Sequence, residues 1–156
     1  ILMHGPEHHL LLAAALLTVY SNQTQQFPLE EKLAEANQRR LQVPGGACGN
    51  WGVCGASIGA GIYASIMTEA SPFSEDEWKI TGQLAARCAD AISKQGGPRC
   101  CKRDTFIAMT ETVPYSNEQF GTTFALPGTI QCEYFVNNQE CKGRACPYFP
   151  TKKQSA

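Results

Sequence analysis

A chain of 156 residues, 43% of them apolar, carries enough hydrophobic side chains for one packed domain. Its net charge of −1, with no basic run longer than two residues, argues against the positive footprint of a nucleic-acid-binding protein. Eight cysteines in this length fall below the roughly 8–10% of small secreted disulfide scaffolds, so reduced thiols in a cytoplasmic protein are expected.

The apolar run Leu10–Tyr20 lacks the basic flank and small-residue cleavage site of a secretion signal, and about eleven residues are too few to cross a bilayer. It predicts a buried first helix, opened by Gly5–Pro6 and ending near Tyr20, with a polar loop from Ser21 to Phe27. The chain begins on Ile, which suggests a fragment of a longer polypeptide. Pro28 opens an amphipathic helix to Leu41, with Glu30 and Glu31 in the first turn. After Val43–Gly46 comes a glycine-rich stretch whose small residues recur at helical spacing, as in closely packed helices. Glycines flanking Cys48 and Cys54 go beyond that need, because each glycine inside a helix costs about 1 kcal/mol.

Ser71–Trp78 predicts a helix start capped by Ser74 with Glu77 as its capping-box partner, and Gly96–Gly97 ends that helix. Leu84, Ala85, Cys88, Ala91 and Ile92 form its buried stripe, which makes Cys88 a core residue. Pro98 opens a fifth helix that ends before Pro114. Beyond it a short helix at Ser116–Phe120 and a short strand at Ile130–Val136 are the only predicted elements. The expected fold class is all-α: about five helices around a buried first helix, residues 1–121, and an irregular cysteine-bearing C-terminal tail, residues 122–156.

The remaining seven cysteines carry the chemistry. On one continuous helix Cys48 and Cys54 would point roughly 120° apart and sit about 9 Å apart along the axis, so sharing a ligand requires Cys48 to lie outside the helix of Cys54. Cys100 and Cys101 fall at a helix N-terminus beside Arg99, Lys102 and Arg103, where positive charge is expected to leave one thiol partly ionised near neutrality. Cys132, Cys141 and Cys146, the last followed by Pro147, have spacings of eight and four residues in a segment without a packing pattern, as when a metal holds a peptide in place. His4, Glu7, His8 and His9 form HGPEHH. It lacks the H-E-x-x-H order of a zinc protease, yet its imidazoles are candidate metal ligands or proton carriers.

Taken in order, HGPEHH, VPGGACGNWGVCGASIGAGI, SPFSEDEW, GGPRCCKRD and CKGRACPYFP resemble an uncharacterised domain family of mainly anaerobic archaea and bacteria. The resemblance covers nearly the whole chain. It marks His4, Glu7, His8, His9, Cys48, Cys54, Cys100, Cys101, Arg103, Asp104, Cys132, Cys141 and Cys146 as site positions. It also implies a methyltransferase domain as a fused or associated partner in some members, and it brings no established activity.

The expected function is metal binding, foremost of an iron–sulfur cluster with sulfur or redox chemistry. The alternatives are a structural zinc module serving a partner enzyme and a dithiol redox or metalloid-binding protein built on Cys100 and Cys101. No substrate and no catalytic residue is assigned.

Overall fold

The computed structural model describes residues 1–24 and 26–150, so the last six residues of the tail lie outside the described residues. Six helices and two short 3-10 turns make up its regular structure, with no strand among the described residues. The helices are α1 (His8–Thr24), α2 (Leu29–Leu41), α3 (Ala47–Asn50), α4 (Gly55–Thr68), α5 (Asp76–Gln95) and α6 (Cys101–Phe120). No helix is long and apolar enough to cross a membrane among those residues.

The centre is shared by α1, which buries Leu12, Ala13, Leu16 and Leu17, and α4, which packs against α1, α2, α5 and α6. Small residues of α4 permit that crowding. A Cβ added at Gly59 would lie 2.6 Å from the carbonyl oxygen of His9, and one at Gly61 would lie 3.3 Å from Ala85 Cβ. Cys88 is fully buried on α5, and its thiol contacts Ala108 O and Thr112 Oγ1 on α6. The core assignment made from its stripe therefore holds.

Several local expectations are corrected. Helix α1 runs on through Ser21 to Thr24, whose hydroxyl donates back to Tyr20 O (3.0 Å), so the polar residues prolong the helix on its solvent side. Ser74 does not cap α5. Its hydroxyl accepts from Ser71 N (3.0 Å) to close a turn, and the helix starts at Asp76 without a side-chain cap.

Pro114 does not end α6, which continues to Phe120 and stops at Gly121 in the left-handed region (φ 63°). Proline removes one backbone hydrogen bond, a cost of about 3 kcal/mol in a helix interior. Buried Thr112, Val113, Tyr115 and Ser116 surround it, and Ser116 Oγ pairs with Tyr63 OH at 2.6 Å, so packing outweighs the defect.

The strand expected at Ile130–Val136 is a loop ending in a 3-10 turn at Phe135–Asn137. No ladder forms among the described residues: one backbone bond, from Cys132 N–H to Tyr148 O (2.7 Å), and side-chain contacts hold the segment. Phe106 meets Tyr148 edge-on at 5.3 Å, Phe135 meets Phe149 at 4.9 Å, and Lys142 Nζ donates to Gln95 O at 2.7 Å.

Candidate metal centre

The four-residue α3 carries Cys48, whereas Cys54 is the N-cap of α4. The two cysteines thus sit on separate elements, as sharing one ligand requires. A turn made by Gly46 and Gly52, both with positive φ, folds α3 back so that Cys48 and Cys54 line one cavity. At the start of α6, Cys100 is the N-cap and Cys101 the first helical residue. The two neighbours part there. Cys101 joins Cys48 and Cys54 around a cavity of about 140 Å³, while Cys100 faces the tail.

The tail supplies three more thiols on that other side. Cys100, Cys132, Cys141 and Cys146 line a small hollow of about 20 Å³ together with Arg103 and Lys142. Three N–H groups point at its sulfurs: Arg103 N and Asn138 Nδ2 each donate to Cys100 Sγ at 3.5 Å, and Gly143 N donates to Cys141 Sγ at 3.4 Å. Cys132 is pinned by its own backbone, which donates to Tyr148 O at 2.7 Å.

Between the hollow and the cavity lies a buried ion pair. Arg103 Nε donates to Asp104 Oδ1 at 3.0 Å, and Arg103 Nη2 donates to Gly96 O and Pro98 O. Asp104 lines the cavity and accepts from Cys54 Sγ at 3.5 Å. Burial pushes its carboxyl up despite the guanidinium beside it.

The expectation of an ionised thiol at the α6 N-terminus is overturned. Burial pushes both Cys100 and Cys101 up, and the Asp104 carboxylate adds to it; the N–H from Arg103 to Cys100 and the charge of Arg99 near Cys101 offset only part. Cys54 is pushed up to about 12, first by burial and then by Asp104. In the absence of a bound cation these thiols are protonated. Arg99 itself is exposed at the rim of the cavity.

HGPEHH wraps the cavity. His8 is 1% exposed; its Nδ1 donates to Gly5 O (3.2 Å), and its Nε2 has no partner. His9 is also buried, with Nδ1 unpartnered, and it occupies space that only glycine leaves: a Cβ at Gly55 would lie 1.9 Å from His9 Cδ2. Burial lowers the pKa of both imidazoles, which keeps them neutral. His4 also lines the cavity, but its Nε2 meets Asn138 Oδ1 (3.1 Å) and Glu140 Oε2 (3.2 Å) in the tail. Glu7 lies over Gly5, with Oε2 unpartnered, and does not line the cavity.

Among the described residues no three His, Cys, Asp or Glu side chains stand close enough together to hold a single metal ion. The predicted ligands are therefore grouped around two spaces rather than converged on one point.

Asn138 was not expected. It is buried, and its amide joins His4 on one side to Cys100 on the other. Nothing in the polar run NNQE separates it from a turn residue.

The fold and these two groups define an all-α, cysteine-rich domain with seven thiols gathered around the start of one helix. The chain belongs to a family of unknown function, DUF5714, whose profile matches residues 1–149. No curated protein and no solved structure matches it.

Proposed function

We propose that this protein binds an iron–sulfur cluster through Cys100, Cys132, Cys141 and Cys146. The observation that carries the proposal is the convergence of these four thiols on one hollow, three of them from a tail with almost no regular structure of its own. Four cysteines are the usual protein ligands of such clusters. The four sulfurs line a common space without meeting at a point, and at about 20 Å³ that space would have to widen to take a cluster core.

The surroundings suit bound thiolates. Arg103 and Lys142 offset negative charge, and the N–H groups of Arg103, Gly143 and Asn138 hydrogen-bond sulfur, an arrangement that stabilises thiolate ligands and raises the reduction potential of a cluster. When bound, a cluster supplies one-electron transfer, so redox or sulfur chemistry is the class of activity that follows. The structural zinc alternative uses the same four thiols drawn closer together. The dithiol alternative asks Cys100 and Cys101 to act on one ligand, although they line different spaces. An associated methyltransferase would be a partner for the electron-transfer or structural role alike.

Purification without oxygen, a visible spectrum and counts of iron, zinc and acid-labile sulfide test the reading. A brown protein with iron and sulfide is expected, and Cys132→Ser with Cys141→Ser should deplete both. A colourless protein with about one zinc per chain would replace the cluster by a structural ion. A folded protein free of metal would remove both.

A further inference from the structure

We propose that the cavity walled by His8, Cys48, Cys54 and Cys101 is a second metal site, separate from the four-thiol hollow, with His8 Nε2 as a nitrogen donor beside three thiolates. The proposal goes beyond the tail site and does not depend on it.

The donors come from four places in the fold: α1, α3, the N-cap of α4 and the first residue of α6. They are of one chemical kind. Thiolate and imidazole are soft or borderline donors that select transition metals, and the one basic residue on the wall is Arg99. A cavity with this lining is a poor anion site. At about 140 Å³ it exceeds a single ion and leaves room for a cluster, in keeping with donors that do not converge on one point.

His8 is the observation that points to an occupant. Gly5 O can only accept, so the proton of the neutral ring sits on Nδ1 and the Nε2 lone pair is free. Metal-bound histidines are commonly oriented this way, by donating the other ring N–H to a backbone carbonyl. The lone pair is buried and unpartnered, an unfavourable state unless something binds there. A cation entering the cavity meets the free Nε2 beside the thiols of Cys48, Cys54 and Cys101, whose protons it displaces on binding. Cys48, Cys54 and Cys101 reach this one space from three separate elements.

The test is anaerobic reconstitution of the full chain with ferrous iron and sulfide, followed by iron counts per chain and electron paramagnetic resonance of the reduced protein. Wild type is expected to show two centres. Cys132→Ser/Cys141→Ser/Cys146→Ser should lose about half of the iron and one signal, and Cys48→Ser/Cys54→Ser/Cys101→Ser should lose the other half and the other signal. A cavity variant that keeps the full iron content and both signals overturns the proposal while leaving the tail site standing. A tail variant that keeps full iron, with a depleted cavity variant, sinks the four-thiol proposal and upholds this one.

His8→Gln guards against a cavity variant that fails to fold. With helical circular dichroism unchanged, it should shift the signal or midpoint potential of one centre only. An unaltered pair of signals in that folded variant removes His8 and, with it, the proposal.

Discussion

Gly59 offers the sharpest test of the packing that holds His8 and His9 at the cavity. Replacing a helical glycine by alanine ordinarily stabilises by about 1 kcal/mol, because the backbone loses less entropy. At Gly59 the new Cβ would sit 2.6 Å from His9 O, inside the 3.0 Å limit that real Cβ atoms respect. The obstructing atom is backbone and cannot swing aside, so α1 and α4 must separate. Overpacking of this kind costs about 1–3 kcal/mol, and against the propensity gain the upper half of that range leaves a net loss of about 1–2 kcal/mol. For a chain of this size that lowers the melting temperature by about 2–8 °C. Gly82 is the control. It lies on the exposed face of α5, an added Cβ meets nothing within 4 Å, and Gly82→Ala should stabilise by up to about 1 kcal/mol. Thermal melts of the two variants beside wild type decide the matter by sign. A Gly59→Ala protein as stable as the Gly82→Ala protein would refute the close approach of α1 and α4.

Asp104→Asn leaves the Arg103 guanidinium buried without its counter-charge; because Gly96 O and Pro98 O still accept from it, the cost should fall at about 3 kcal/mol, the lower end for a broken buried pair. Urea unfolding of the metal-free protein measures this, and a loss below about 1 kcal/mol would mean the pair is not buried as described. Glu35 gives a pH dependence of known sign. Burial raises its pKa, but Arg39 and Lys32 together outweigh that and hold it below the ordinary 4.5. The unfolded chain therefore takes up this proton first as pH falls below about 4.5, and the stabilisation present above that pH is progressively lost. The stability gap between wild type and Glu35→Gln should narrow from about pH 6 to about pH 4 in urea melts, and a constant gap would exclude the linkage.

Where the sequence was legible, it was so through periodicity and stereochemistry. The stripe Leu84, Cys88, Ile92 placed Cys88 in the core because a helix repeats every 3.6 residues whatever it packs against. Helix geometry likewise made a break between Cys48 and Cys54 the condition for their sharing a ligand, and the chain does break there, at Gly52 with positive φ. Pro114 misled because the cost of proline is local and visible, whereas the burial of Tyr115 and Ser116 that overrides it is tertiary. The thiol pKa values misled in the same way. Helix end and basic neighbours are written side by side in GGPRCCKRD, but the burial that dominates is tertiary: HGPEHH lines the cavity with Cys101, and the tail lines the hollow with Cys100.

The partition of the cysteines was also out of reach of spacing alone, and its cause lies in one short segment. An N-cap residue has extended backbone (Cys100, φ −147°, ψ 96°), and the helix proper begins only at Cys101, so adjacent side chains leave the chain in different directions. Arg103 and Asp104 repeat the divergence: Arg103 lines the tail hollow with Cys100, and Asp104 lines the cavity with Cys101. Each space thus receives one thiol and one charged group from the same turn, and the Arg103–Asp104 bond ties the two groups together. Moving the helix start by a single residue would redirect all four side chains. The motif that reads as one cysteine cluster is therefore a junction, and the placement of Pro98 and of the cap sets which thiol serves which side.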